Sequence, residues 1–490
     1  MQTKKILTRI CALCSVFVMG SFGGCALLES MLGGTSSEGS SVQVESPETS
    51  EKPEKPDTPD TPDVPDTPDT PDVPDTPDTP DVPDTPDTPD VPDTPDTPDV
   101  PKDNMLTVLT EGEVFPYIDN IKEYLEAGAG AKVGDYYQAV NSQWAPVQIK
   151  WKFDTTGARK FVVEYATKED FSDAVTVEVG PTKRAVDVYN LYKSTTYYVR
   201  VTAFNSKKEA LYTDTSEFYT TDLGPRFMKI DDVYNVRDLG GYETSSGKTL
   251  VQGIAYRGGG LTIPPKGGQP NEISEDGKKY MSEVLGIKSE IDFRTENESG
   301  ITLEQGSVIP GASLTYITIN AYAPTFDYDD EYLQFFAMLA DKDNYPFYIH
   351  CTGGADRTGS AMFLLHTMLG VSDLECLQGF ELTSFSVYGL RDTQSGYYKD
   401  SWEAFMTKLN TYAGNTKQEK VETWARSIGV TQEQIDTIKK IFYGEINIDK
   451  AFQPSKKTEA RSVMGKSLRQ QYSDVLAAWT IQKKENEKVV

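Results

Sequence analysis

From Pro56 to Val100 proline stands at every third position, in five tandem copies of Pro-Asp-Thr-Pro-Asp-Thr-Pro-Asp-Val. Proline offers no backbone N–H and fixes φ, so neither a helix nor a strand ladder can run through this stretch. The spacing favours polyproline II, and the aspartates repel one another. Forty-five such residues at ~3.1 Å each reach about 140 Å when fully extended. Residues 26–102 are therefore read as a disordered linker, a stalk or spacer, and the packed domains must follow it. The array also accounts for much of the charge. Three aspartates per copy supply 15 of the negative charges behind the net −27, leaving −12 on the rest. That balance argues against a nucleic-acid partner.

Residues 1–25 read as a targeting segment. Lys4, Lys5 and Arg9 precede a mostly apolar run from Ile10 to Met19, too short for an ordinary membrane-spanning helix. The run ends Phe22-Gly23-Gly24-Cys25, which resembles a bacterial lipoprotein signal. The resemblance implies cleavage before Cys25, lipidation of its thiol and an extracytoplasmic, membrane-anchored protein. The alternative is a secretory signal with an incidental cysteine. Loss of Cys11 and Cys14 with the signal would leave Cys351 and Cys376 as free thiols. Five cysteines are too few and too scattered for a disulfide framework. The two histidines, His350 and His366, show no paired Cys/His spacing, so no zinc site and no cofactor are expected.

Residues 103–142 carry one candidate helix, from Tyr117 to Glu126, and no assigned role. Residues 143–222 alternate apolar and polar residues in Val147–Trp151, Lys160–Tyr165 and Tyr197–Ala203, the period of half-buried strands. Leu191, Thr195 and Tyr197, followed by Tyr198-Val199-Arg200-Val201-Thr202-Ala203, resemble a fibronectin type III sandwich. In that reading Trp151 is a core residue and Tyr197 a corner tyrosine bonding back to the backbone. Such a domain either binds a glycan or protein or serves as a spacer.

In residues 223–445 strands and helices alternate, which implies a sheet covered by helices. Expected strands are Gly253–Arg257, Ile287–Arg294, Ser313–Asn320 and Pro346–Ile349. Expected helices are Asn271–Leu285, Asp329–Ala340, Ser360–Leu369, Ser372–Thr383, Trp402–Thr411 and Thr431–Phe442, the last opened by a Thr431/Gln434 capping box. Between strand 346–349 and its following helix lies His350-Cys351-Thr352-Gly353-Gly354-Ala355-Asp356-Arg357-Thr358-Gly359. Backbone N–H groups from Thr352 to Arg357 can converge on a tetrahedral oxyanion, and the helix adds its positive end. The same field favours a thiolate at Cys351. Arg357 offers a planar fork for two phosphate oxygens. Asp356 can protonate a leaving oxygen, and Thr358 can hydrogen-bond the thiolate. The positive field comes from the protein itself, so no metal is needed.

This stretch resembles the signature loop of cysteine-dependent protein tyrosine phosphatases, most closely the bacterial tyrosine/serine branch. Two further stretches carry the resemblance: Asn235-Val236-Arg237-Asp238-Leu239-Gly240-Gly241 and Asp292-Phe293-Arg294-Thr295-Glu296-Asn297-Glu298. The resemblance covers about residues 225–445. It implies that Cys351 is the nucleophile, that Asp356 replaces the acid other branches carry on a separate loop, and that His350, Asn235, Arg237, Asp238, Asp292 and Arg294 support the site. Acids at Asp327, Asp329 and Asp330 are the competing choice. Many relatives carry lysine just before the loop aspartate, where this chain has Ala355. The expected activity is a phosphomonoester hydrolase acting on a phosphorylated protein. The alternatives are a phosphoinositide or inositol-phosphate phosphatase and, in another class, a non-catalytic phosphate-recognising receptor or adhesin. Residues 446–490 read as a solvated tail.

Overall fold

The computed structural model describes residues 105–138, 142–262, 272–321 and 323–454. The expected signal segment with Cys25, the linker 26–102 and the tail beyond residue 454 lie outside the described residues. Everything described belongs to one unit spanning Asp96–Val490.

The chain enters through two short strands, β1 (Leu106–Val108) and β2 (Gly112–Val114), and two helices, α1 (Asp119–Ala127) and α2 (Val133–Tyr136). Six more strands follow: β3 (Val147–Phe153), β4 (Lys160–Ala166), β5 (Val175–Val179), β6 (Ala185–Val188), β7 (Thr196–Phe204) and β8 (Ala210–Thr220). They form two sheets, β1-β3-β6 and β2-β8-β7-β4-β5. Alternation sets the faces: β3 buries Val147, Ile149, Trp151 and Phe153 and exposes the residues between them. Trp151 meets Phe161 across the core, and the Tyr197 hydroxyl accepts a 2.8 Å bond from the Tyr192 N–H. Residues 106–114, left unassigned by sequence, belong to this sandwich. Three-residue strands carry no period of their own. Pairing creates them: β1 lies antiparallel to β3, and β2 parallel to β8.

The third sheet has the order β12-β11-β13-β10-β9, from β9 (Arg237–Asp238), β10 (Ala255–Gly258), β11 (Ser289–Asp292), β12 (Ser313–Tyr316) and β13 (Phe347–His350). It is parallel except for β9. The middle strand β13 is buried throughout, as a parallel strand covered on both faces must be. One face is covered by α3 (Glu275–Lys279), with Met281, Leu285 and Tyr348 in its core. The other packs against α5 (Asp329–Leu339), α6 (Asp356–Met368), α7 (Asp373–Glu381), α8 (Gly396–Leu409), α9 (Lys417–Ser427) and α10 (Gln432–Phe442). A short α4 (Glu296–Ser299) follows β11.

Several boundaries differ from the sequence expectation; β12 stops at Tyr316 rather than Asn320, and α8 starts at Gly396 rather than Trp402. The helix expected over 271–285 is α3 continued by a wider π-helical turn, Tyr280–Val284, which closes with Leu285 N–H on the Tyr280 carbonyl. Helix α9 was not expected. Only Val421, Trp424 and Ala425 are buried on it, too thin a stripe to read, although a Thr416/Glu419 capping box marks its start. The domain also continues past residue 445. Ile448 is buried, and Phe452 exchanges backbone bonds with Gln252 and stacks on Tyr192 at 3.8 Å.

The sandwich joins the α/β part without a free linker. Arg226 is buried at the junction. It donates to Asp238 at 2.9 Å and to the carbonyls of Leu191 and Asn190. Lys193 and Gln252 exchange two bonds, of 2.9 and 3.0 Å. Tyr117, just ahead of α1, and Ile121, Tyr124 and Leu125 on it dock against Phe227, Leu382 and Phe385.

Candidate active site

Strand β13 ends with His350 in register with Gly258 of β10 and Asp292 of β11. Cys351 is therefore delivered at the carboxyl edge of the sheet, between two neighbouring strand ends, where open α/β sheets bind ligands. It is 3% exposed. From there the chain turns through 352–355 into α6, whose first residue is Asp356.

The loop is shaped by its carbonyls, each of which is held from outside. The Cys351 carbonyl lies 3.2 Å from His350 Nδ1, and the Thr352 carbonyl accepts from Gly260 N–H at 3.0 Å. Asn235 Nδ2 donates to the carbonyls of Gly353 (2.9 Å) and Gly354 (3.3 Å), and Arg257 also donates to Gly354. In a trans peptide the next N–H points opposite to the carbonyl. Carbonyls fixed outward on 351–354 therefore turn the N–H groups of 352–355 inward, which makes an anion cradle. Gly354 has φ +60°, and a Cβ there would stand 2.0 Å from the Gly258 carbonyl.

Arg357 lies on the rim. Its Nη1 donates to Glu298 Oε2 at 2.9 Å and its Nη2 to Oε1 at 2.5 Å. Thr352 Oγ1 adds 2.9 Å to the same carboxylate. Burial alone would raise the Glu298 carboxyl, but the Arg357 bonds outweigh it and hold it below its usual value. The Thr358 hydroxyl is fully buried and has no hydrogen-bond partner among the described residues. It follows the cysteine on the first turn of α6 and remains available as a donor.

The residues expected to support the site fall into two shells behind it. Asn235, at φ +61°, bonds the loop directly. Arg237 holds Asn235 Oδ1 at 2.9 Å, Thr383 Oγ1 at 3.0 Å and the Gly379 carbonyl at 2.8 Å. Burial, and then Arg257 beside it, push this guanidinium well below its ordinary value. Asp238 lies farther back, accepting from Arg226 and from the N–H groups of Gly240 and Gly253, and burial raises its carboxyl. Asp292 is bridged by Arg294 through Nε and Nη2. His350 Nε2 sits 2.8 Å from Glu290. Glu290, Asp292 and His350 place ligand atoms within 4.8 Å of one another. Their oxygens are already engaged by Arg294, Ser307 and the imidazole.

One relationship differs from the sequence reading. Asp356 adjoins Arg357 in the chain, yet its carboxylate is paired with Arg391, by Nε at 3.4 Å and Nη2 at 3.2 Å. Successive helical residues diverge by about 100°, so Arg357 turns to Glu298 while Asp356 faces the 386–395 loop. The competing acids Asp327, Asp329 and Asp330 are all exposed, and Asp327 is paired with Lys408. Sequence reasoning missed Glu298, Arg257 and Arg391 as site residues. Glu298 closes the Asp292–Glu298 stretch, where its sequence neighbours give no sign of an arginine partner. Arg257 was an arginine in an apolar strand, and burial pushes it down to about 10. Arg391 carried no local signal.

Fold and loop define the class of site: an anion cradle at the edge of an α/β sheet, with a thiol at its base and a carboxylate-held arginine on its rim. Residues 228–444 match the model of the tyrosine phosphatase family. "Putative tyrosine-protein phosphatase H16_A0669" of Cupriavidus necator is 24% identical over 184 residues, which are 32% of this chain and 63% of that protein. The chain thus spans less than two thirds of that relative's length. Two solved structures also match. One is the core catalytic domain of the PP-IP phosphatase SIW14 from S. cerevisiae with citrate, 15% identical over 36% of this chain and 82% of that one, with a TM-score of 0.23. The other is the Siw14 catalytic core, 14% identical over 39% and 88%, with a TM-score of 0.22. The family match falls on residues 228–444, the part of the chain that holds Cys351, Asp356, Arg357 and Glu298.

Proposed function

We propose that this chain is a cell-surface phosphomonoester hydrolase that works through a cysteinyl-phosphate intermediate, with phosphotyrosine and phosphoserine proteins as its substrate class. The observation that carries the reading is the cradle itself: Cys351 at the strand end, inward N–H groups, and Arg357 held as a fork by Glu298. In the first step Cys351 Sγ attacks phosphorus as the ester P–O bond breaks. Arg357 and the loop amides hold the equatorial oxygens, and Asp356 gives its proton to the leaving oxygen. In the second step water attacks, Asp356 takes back a proton, and the S–P bond breaks. The Thr358 hydroxyl donates to the departing thiolate.

The surface location rests on the lipoprotein-like Phe22-Gly23-Gly24-Cys25 and the Pro/Asp array. The sandwich is read as a fibronectin type III domain on its two-sheet order and the Tyr197 corner bond. A glycan or protein is its expected ligand class.

The test is a panel of phosphotyrosine peptide, phosphoserine peptide and inositol phosphate, run on wild type and Cys351→Ser. Peptide turnover by wild type, with loss of turnover but retained vanadate binding in the variant, is expected. Residual turnover above about one per cent, against the far larger loss expected for a nucleophile, would refute the thiolate mechanism. Wild-type turnover confined to inositol phosphate would refute the substrate class.

A further inference from the structure

We propose that Arg391 positions the general acid Asp356, and that the N-terminal segment carrying α1 holds Arg391 in place through Glu381. The proposal rests on the assignment of Asp356 as the acid made above.

Asp356 and Arg391 form a two-pronged contact, and their side chains are 14% and 12% exposed. At 3.2 and 3.4 Å the bonds are longer than the ~2.7–2.9 Å of a tight charge-assisted pair. They orient the carboxylate without locking it. An aspartate has two side-chain torsions, and a fork on both oxygens restricts both. The hydroxyl-bearing ring of Tyr398 lies under the Arg391 guanidinium at 5.2 Å and completes the wall around the acid.

Arg391 is not placed by a local apolar core, since its neighbours Val387 and Leu390 are exposed. Polar anchors hold it instead. Its N–H donates to Ser384 Oγ at 2.8 Å, and its Nη1 donates to the carbonyls of Tyr388 and Gly389. Two residues on, Thr393 donates from N–H (3.0 Å) and Oγ1 to Glu381 Oε1. The other oxygen of Glu381 accepts from the Tyr124 hydroxyl of α1. Tyr124 and Glu381 are both buried, 257 residues apart in the chain. Gln394 Nε2 donates to the Ala131 carbonyl at 2.8 Å, and Gln143 Nε2 to the Leu382 carbonyl at 2.6 Å. The loop base is thus bonded at three points to the segment between β2 and β3. The last link from that segment to the chemistry is the Arg391 fork.

The experiment compares phenyl phosphate, whose leaving group needs a proton, with 4-nitrophenyl phosphate, whose leaving group does not. The variants are Asp356→Asn, Arg391→Gln, their double variant and Tyr124→Phe, in the full chain, with thermal melts to confirm folding. Asp356→Asn should lower the phenyl to nitrophenyl rate ratio by about a hundredfold, the low end for a general acid. Arg391→Gln should lower that ratio about tenfold, and the double variant should be no worse than Asp356→Asn alone, because both act through one carboxylate. Tyr124→Phe should lower the ratio about threefold, the smaller loss expected of a contact one step removed. Equal slowing of both esters by Arg391→Gln, or additive losses in the double variant, would overturn the positioning role. An unchanged ratio in folded Tyr124→Phe would overturn the role of α1. An unchanged ratio in Asp356→Asn would instead remove the acid assignment, and the proposal with it, while leaving Cys351 as nucleophile.

Discussion

Glu298→Gln tests how far the rim arginine depends on one carboxylate. In the native site Arg357 is 3% exposed and gives Glu298 two bonds, one to each oxygen. Glutamine keeps one acceptor, but its amide NH₂ then faces an arginine N–H, donor against donor. One charge-assisted bond is lost and the fork is pushed out of plane. Such a bond is worth about 1.5–3 kcal/mol when well shielded. The Glu298 side chain is 24% exposed, so the lower end applies, about 1.5–2 kcal/mol. At 1.4 kcal/mol per decade that is a fall of about 10–30-fold in kcat/KM. Arg357 grips the phosphoryl oxygens before and during the transition state, so Kd for vanadate should rise by a similar factor. Steady-state kinetics on 4-nitrophenyl phosphate and vanadate titration measure both, with a thermal melt to exclude unfolding. A folded variant within about threefold of wild type on both measures, a difference of less than ~0.7 kcal/mol, would refute the idea that Glu298 orients Arg357.

Gly354→Ala should lower kcat/KM more than about tenfold and destabilise the fold, because a Cβ at φ +60° meets the Gly258 carbonyl at 2.0 Å and the left-handed conformation alone costs about 1–2 kcal/mol; wild-type kinetics would show that the cradle tolerates a side chain. His366 is buried beside Leu239 and Tyr242, and burial pushes it down to about 4. Below the ~6.5 of a free imidazole the unfolded chain takes up a proton that the folded chain refuses. Its contribution is therefore complete above about pH 6.5 and lost as the pH falls towards 4, by about 3 kcal/mol in all. Urea titrations at pH 7 and pH 5 should show this slope in wild type and less of it in His366→Gln, and an identical slope in both would exclude His366 as its source. Mass spectrometry of the mature N-terminus should find a diacylated Cys25, whereas an unmodified start at another residue would make the protein secreted.

What sequence alone determined was local. Strand β13, the loop and α6 are contiguous, so glycines, helix start and apolar runs announce them together. The Thr431 capping box and the Tyr197 corner are also set by residues a few positions apart. Tertiary structure alone decided which charges meet. Glu298 reaches Arg357 across 59 residues, Arg391 reaches Asp356 across 35, and Tyr124 reaches Glu381 across 257. Nothing near any of these residues in the chain records its partner, because side-chain pairing at such separations follows from how helices and strands pack. The strands at 106–114 are of the same kind: three residues long, they exist only because β3 and β8 offer edges to bond. Local chemistry names the nucleophile and its cradle. The orientation of the acid and of the rim arginine comes from elements distant in the chain, brought together by burial of the faces between them.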